Sequence, residues 1–490
     1  FAGFSAWGPR HLNMRTLIPA ALVGCTILAT TGCATYRAEP IAPSRAAASF
    51  DSRSLDDARL HDFVAAATPT RTMAAAWDLE TLTLAAIYFH PDLDIAYAKL
   101  AVAQGGVVTA AQRPNPSVNL SPQYNATTAI PSPWTAGLAV NFLIETFGKR
   151  GDRIDQSSAL VEAARDDVGS ASWQVRGRVR SALLDLWTAQ QRADIARHRL
   201  ELESEMVALL ERRLAVGEAF GLDAARERIN RDQFSLALSD ADRAAGIART
   251  QLANAVGVPV QALDGVALNF GALASGTVDR PNTPLAALRE AAVTRRSDVQ
   301  GALAQYSAAE AALRLQVANQ YPNISLGPGY TFDQGDHKFA LPATFDLPIF
   351  NQNQGPIAEA AARRKLAAAS FLGLQAQVLG AVDTASVAYQ RATEGLATAD
   401  ALLAAQRARQ GRTASQFRAG QIDRPALIAG DLEVAAAEAL RLDALTAQRQ
   451  AFGQLEDALQ QPLFGGGAGF PIPPASPRAD GEPVRPKDAS

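Results

Sequence analysis

The sequence predicts a mainly α-helical protein that carries a membrane-type β element and is written twice along its length. Three observations predict this class. A strand passes directly into two very long helices within Trp134–Val256, where no proline occurs between Pro133 and Pro259. The same pattern returns in the second half of the chain. The strands are apolar on one side and polar on the other, as in a barrel with lipid outside and water inside.

From Trp134, the residues Ala136, Leu138, Val140, Phe142 and Ile144 share one side, with Thr135, Gly137, Asn141 and Glu145 on the other, which is strand periodicity. After Phe147-Gly148-Lys149-Arg150 the period changes. Residues 151–216 are rich in Ala, Leu, Arg, Glu and Gln, with apolar positions at Val179, Leu183, Leu186, Met206, Leu210 and Leu214, a helix with a seam. At 1.5 Å per residue it extends roughly 100 Å, several times a bilayer core. It is therefore not a single membrane span. Its many charges, Arg176, Arg178, Arg180, Asp185 and Glu203 among them, place most of it in water.

Sliding the chain against itself aligns Asp92 with Asp298, Pro116 with Pro322, Leu120 with Leu326, Pro122 with Pro328 and Tyr124 with Tyr330, all at an offset of 206 residues. Beyond the strands the offset is 203, aligning Phe147 with Phe350, Ile154 with Ile357, Gly217 with Gly420, Leu252 with Leu455 and Pro259 with Pro462. A shift sustained this far implies an internal duplication. The three missing residues fall between paired strands, where loops shorten freely. Each half is expected to run helix, two strands, long helix, second helix. The first helix covers 78–113, with a kink or break at His90-Pro91. The strands are expected at 117–128, 134–145, 323–333 and 339–347, with bulges at Pro122 and Pro328. The domain boundaries that follow are 1–32 for upstream residues and signal, 33–76 for an N-terminal linker, 77–259 and 284–462 for the repeats, 260–283 for the inter-repeat linker, and 463–490 for a disordered Pro/Gly-rich tail.

Residues 1–13 precede a secretory start at Met14, whose apolar run from Leu17 to Leu28 is too short for a stable span. Thr30-Thr31-Gly32-Cys33 resembles a bacterial lipobox, making Cys33 the expected lipidation site; Leu22-Val23-Gly24-Cys25 is the alternative, and an ordinary cleaved signal a third. Both cysteines lie in this segment, so the remaining chain has no thiol, which fits an oxidising compartment. A net charge of −3 with interleaved signs provides no basic field for nucleic acid. The five histidines, His11, His61, His90, His198 and His337, have no ligand spacing, so neither a metal nor another cofactor is expected. Gly465-Gly466-Gly467 lacks the Lys-Ser/Thr of a phosphate loop. No catalytic constellation is found. Four strands cannot close a barrel in lipid, so copies must associate, giving eight strands from two or twelve from three.

With Asn115-Pro116-Ser117-Val118, Tyr321-Pro322-Asn323-Ile324-Ser325-Leu326, Phe147-Gly148-Lys149-Arg150, Leu347-Pro348-Ile349-Phe350 and the turns around Gly217 and Gly420 in place, the chain resembles the TolC family of outer-membrane efflux proteins, in particular its OprM-like and CzcC-like lipoprotein branch. The resemblance implies a homotrimer: a 12-stranded barrel in outer-membrane lipid, four strands per chain, continuous with a long periplasmic α-helical barrel. It implies a passive exit channel docked by a periplasmic adaptor and an inner-membrane pump. It assigns adaptor docking to the tips Val216, Gly217, Glu218, Ala419, Gly420 and Gln421, and an acidic aperture to Asp223, Asp423 and Asp431. The competing expectation is a lipid-anchored periplasmic coiled-coil scaffold whose strands form a soluble sheet; an enzyme is a distant third.

Overall fold

A computed structural model describes residues 36–68, 76–126, 133–274 and 284–463; Cys25, Cys33 and the expected disordered tail from 464 onward lie outside the described residues. The chain divides into two compact units, residues 1–52 and 53–490. The first contains helix α1 (Pro43–Asp51), opened by proline at its first turn. Everything below concerns the second.

Helix α2 (Ala58–Ala67) is capped by Asp57, which accepts from the Arg59 and Leu60 amides. Helix α3 (Leu79–Phe89) starts on a capping box: Asp78 accepts from the Thr81 amide at 3.0 Å, and Thr81 Oγ1 accepts from the Asp78 amide at 2.9 Å. It ends at His90, whose extended backbone (ψ 126°) is what a following proline imposes. Helix α4 (Pro91–Ala111) then restarts the run, so the His90-Pro91 interruption is a break. Strands β1 (Ser117–Tyr124) and β2 (Trp134–Ile144) lead into α5 (Lys149–Ala215, 67 residues) and α6 (Gly221–Val256, 36 residues). After a 3₁₀ turn (Val260–Leu263) and α7 (Gly271–Ala274) come α8 (Leu285–Arg295) and α9 (Ser297–Ala318). Strands β3 (Ile324–Leu326), β4 (Gly329–Asp333), β5 (Asp336–Ala340) and β6 (Ala343–Thr344) precede α10 (Gln354–Arg418, 65 residues) and α11 (Arg424–Leu459, 36 residues).

Two of the expected strands are each broken in two, and the breaks coincide with Gly327-Pro328 and Leu341-Pro342. Proline lacks the N–H that a ladder needs. The interruptions face each other, since the Gly327 amide donates to Pro342 O at 2.9 Å and the Val140 amide to Pro328 O at 3.0 Å. Pro122 makes no bulge. The register runs unbroken from Ser117 opposite Asn141 to Tyr124 opposite Trp134, and among the described residues β1 pairs only with β2, an edge position where a proline is tolerated. On its other side β2 pairs antiparallel with β4 and then β3, which are flanked by β5 and β6 respectively.

The α5 seam packs as the periodicity requires. Val179, Leu183 and Leu186 are buried together with Val175, Trp187, Leu252 and Leu84 in the main core, each such residue contributing about 1.5–3 kcal/mol by burial. A second core joins α8, α10 and α11 through Val378, Val382, Tyr389, Phe452 and Leu455. Segments expected as linkers hold packed residues: Leu55, Leu60 and Val64 within 33–76, and Leu263 and Leu273 within 260–283, all belong to the main core. Trp77 forms a bridge to Leu268, donating to Ala267 O at 2.8 Å.

Candidate functional site

Directly opposed residues in a sheet share a face, so the register sorts the two sides. One side carries Val118 opposite Val140, Leu120 opposite Leu138 and Tyr124 opposite Trp134, continuing through Phe142 and Leu326, Tyr330 and Phe339. Its rings touch: Tyr124 and Trp134 centroids lie 5.0 Å apart, and Tyr330 and Phe339 centroids 5.3 Å. The other side carries Ser117, Asn119, Ser121, Gln123, Thr135, Asn141, Thr331, Asp333 and Lys338. There Asp333 accepts from Thr135 Oγ1 at 3.1 Å and Lys338 Nζ at 2.6 Å. Gly137 leaves room for Ser121 on this side, since a Cβ there would come within 2.4 Å of Ser121 Oγ and turn that hydroxyl aside. The apolar side is not covered: Val118 is 63% exposed, Leu120 70% and Phe339 82%.

The passage from sheet to helix is held by left-handed backbone at Phe147 and Gly148 (φ 57° and 76°). Phe147 stacks on Tyr321 with centroids 4.0 Å apart. Lys149, buried, donates Nζ to Tyr321 O at 2.6 Å and to Asn323 Oδ1 at 2.7 Å, which fixes α5 against the start of β3.

At the far end, each long helix stops the same way. Gly217 (φ 78°) donates to Leu214 O and Glu218 to Arg213 O at 3.1 and 2.8 Å; Gly420 (φ 70°) donates to Phe417 O and Gln421 to Gln416 O, both at 2.9 Å. This is the Schellman stop, with Val216 and Ala419 as the last half-helical residues. A Cβ on either glycine would meet nothing within 4 Å, so backbone sign alone demands glycine. Val216, Phe220 and Leu222 are 71–81% exposed around the first turn.

The three aspartates of the expected aperture occupy different settings. Asp223 lies exposed in the first turn of α6. Asp423 caps α11, accepting from the Ala426 amide, and pairs with Arg213 Nη1 at 2.8 Å, whose hydrogen bond holds its carboxyl below the usual range. Asp431 accepts from Gln410 Nε2 at 2.8 Å. Arg424 grips Glu205 with both nitrogens at 2.7 and 2.8 Å. The start of α11 is thereby joined twice to α5, linking the two hairpins. Among the described residues no three His, Cys, Asp or Glu gather closely enough to hold a metal ion.

Sequence reasoning placed Arg176 and Arg180 in water, and the structure buries both. Glu456, fully buried, accepts from Arg176 at 3.1 and 3.3 Å and from Arg180 at 3.3 Å, and Arg180 also takes Asp457 at 3.1 and 2.6 Å. The Leu463 amide donates to Glu456 at 2.8 Å. This clamp ties α5 to α11. The available signal was the spacing of four between the two arginines, which puts both on one helix face.

Residues 85–258 match the family described as outer membrane efflux protein. The solved outer-membrane channel OprN has the same fold, with a TM-score of 0.65 over 90% of this chain and 100% of that chain at 20% identity. Over that segment the chain is similar to outer membrane efflux proteins, and its fold is that of the solved outer-membrane channels. Among curated relatives, the cobalt-zinc-cadmium resistance protein CzcC of Cupriavidus metallidurans is 25% identical over 58% of this chain and 66% of its own length. The pyoverdine export outer membrane protein OpmQ of Pseudomonas aeruginosa is 25% identical over 56% of this chain and 59% of its own length. The match thus spans less than two thirds of the length of either relative.

Proposed function

We propose that this protein is the outer-membrane channel of a tripartite efflux pump, passing solutes from the periplasm to the exterior without chemistry of its own. The observation that carries the reading is the uncovered apolar side of the sheet. A soluble sheet buries one face against a core, whereas here Leu120 and Phe339 stay largely exposed, with the polar row of Asn119, Ser121 and Thr331 behind them. Lipid outside and water inside suit both faces. Three copies of a duplicated chain, four strand paths each, give a closed 12-stranded barrel continued by a helical barrel. Helix α10 supports association, since only 11% of its most apolar 18-residue stretch is buried within one chain.

In this reading the two Schellman turns, Val216-Gly217-Glu218 and Ala419-Gly420-Gln421, are quasi-equivalent docking sites for a periplasmic adaptor that connects to an inner-membrane pump. Asp223, Asp423 and Asp431 line the approach to the aperture. Cys33 carries the lipid anchor, so Cys33→Ser should abolish labelling by radioactive fatty acid and leave folding intact; undiminished labelling refutes that assignment. Cobalt-zinc-cadmium resistance and pyoverdine export, in the names of the two relatives, are different cargoes. The cargo class here is accordingly small solutes selected by the pump.

The test is conductance of purified protein in planar bilayers. Discrete channel steps are expected. Protein that gives no steps and partitions into water once its lipid is removed would support the scaffold instead.

A further inference from the structure

Helix α5 buries an acidic side chain that neither the sheet nor the tips use. Glu203 is 2% exposed, and its Oε1 has no hydrogen-bond donor. Across the α5–α6 pair it meets the carboxyl of Glu227, and this contact together with burial pushes Glu203 up to about 7, burial being the larger cause. Asn230 donates Nδ2 to Glu227 Oε2 at 2.7 Å. Ionising Glu203, buried beside the carboxyl of half-buried Glu227, is costly, so Glu203 holds a proton.

Among the described residues no cation forms an ion pair with Glu203 or Glu227, and none contributes to the shift of Glu203. On α5, Arg199 lies over the Phe234 ring at 4.5 Å, and His198 pairs with Glu201 at 3.8 Å on the exposed face. On α6, Arg228 is committed to Glu211. From α11, Arg424 is committed to Glu205, and the residues packed here are Ile428 and Leu432 against Leu202 and Met206. A metal ion is disfavoured because Asn230 presents an N–H₂ group to the pair, where a cation would take oxygen.

We infer that Glu203 and Glu227 form a proton-binding site that clasps the tip-ward part of the α5–α6 hairpin while it holds one proton and loosens it when that proton leaves. The sign follows from linkage. The closed pair binds the proton more tightly than the solvated Glu203, whose ordinary value is 4.5. Its stabilisation is fully present below that value, falls as pH rises toward about 7, and is gone above. The inference does not depend on the channel reading, because it concerns one hairpin within one chain.

Hydrogen–deuterium exchange of residues 199–231 in the full-length, membrane-reconstituted protein tests it, after correction for intrinsic exchange. Between pH 5.5 and 7.5 the local opening constant should rise about tenfold or more. Glu203→Gln and Glu227→Gln should each flatten that rise to under about twofold, whereas Glu201→Gln should retain it. A flat wild-type profile, an unchanged rise in both Glu203→Gln and Glu227→Gln, or loss of the rise in His198→Gln overturns the proposal.

Discussion

The Arg176–Arg180–Glu456–Asp457 clamp shows how far one residue type can depart from its usual place. Glu456 compensates two guanidiniums at once, and Gly453 leaves the room they need, since a Cβ there would fall 2.4 Å from Arg180 Nε. Removing one partner of a buried pair leaves the other uncompensated, at about 3–5 kcal/mol. Glu456→Ala should therefore lower the unfolding free energy from a urea titration followed by helix loss by about 3–5 kcal/mol, and Gly453→Ala should destabilise by forcing Arg180 aside. Asp194→Ala, which removes the surface pair with Arg197, should stay within about 0.5 kcal/mol. Equal effects at Glu456 and Asp194 would show that the clamp is not a stabilising contact. Charge counting from sequence assigns all these arginines to solvent, because the period of the seam says which residues are inward only when they are apolar.

Elements were more legible than their ends. Both long helices, the break at His90 and the four strand paths follow from periodicity and proline placement, whereas the splits at Gly327-Pro328 and Leu341-Pro342 depend on which strand each proline faces, a tertiary fact. The opposed faces allow a paired test. Val140 lies opposite Val118 on the apolar side and Asn119 opposite Ala139 on the polar side. Val140→Arg should cost about 2–4 kcal/mol near a bilayer midplane, while Asn119→Arg should mainly alter conductance. Equal loss of folded protein from both would mean that the two faces do not differ in their contact with lipid, and a greater loss from Asn119→Arg would mean that the faces are reversed. At the tips, a bulky residue at a left-handed glycine strains the turn by roughly 1–2 kcal/mol, small against a helix pair of this length. Gly217→Trp and Gly420→Trp should leave inserted, heat-resistant oligomer intact while adaptor cross-linking and export fall. Wild-type cross-linking and export in both variants would remove the tips from the docking surface.

At the scale of the whole molecule, the order of helices and strands was visible in the sequence, but the way the two long hairpins are fastened was not. The sequence offset pairs Gly217 with Gly420, yet the bonds between hairpins, Arg213 to Asp423 and Arg424 to Glu205, join unlike positions, and no repeat alignment reveals them. The sheet poses the remaining question of closure. Among the described residues β1 pairs only with β2, and β5 and β6 pair only inward with β4 and β3, so a single chain presents two strand edges whose backbone groups lipid could not satisfy. In the proposed channel, pairing β1 of one copy with β5 and β6 of the next would close the ring without a new element. Single cysteines introduced along β1 at Ser117, Asn119 and Ser121, each combined with Lys338→Cys on the opposite edge in a Cys25→Ser, Cys33→Ser background, should locate the register on the polar side. For the matching pair, oxidation in membranes should produce a ladder of one, two and three chains that ends at three. A ladder ending at two indicates an eight-stranded ring, and no ladder from any of the three pairs rejects closure through these edges.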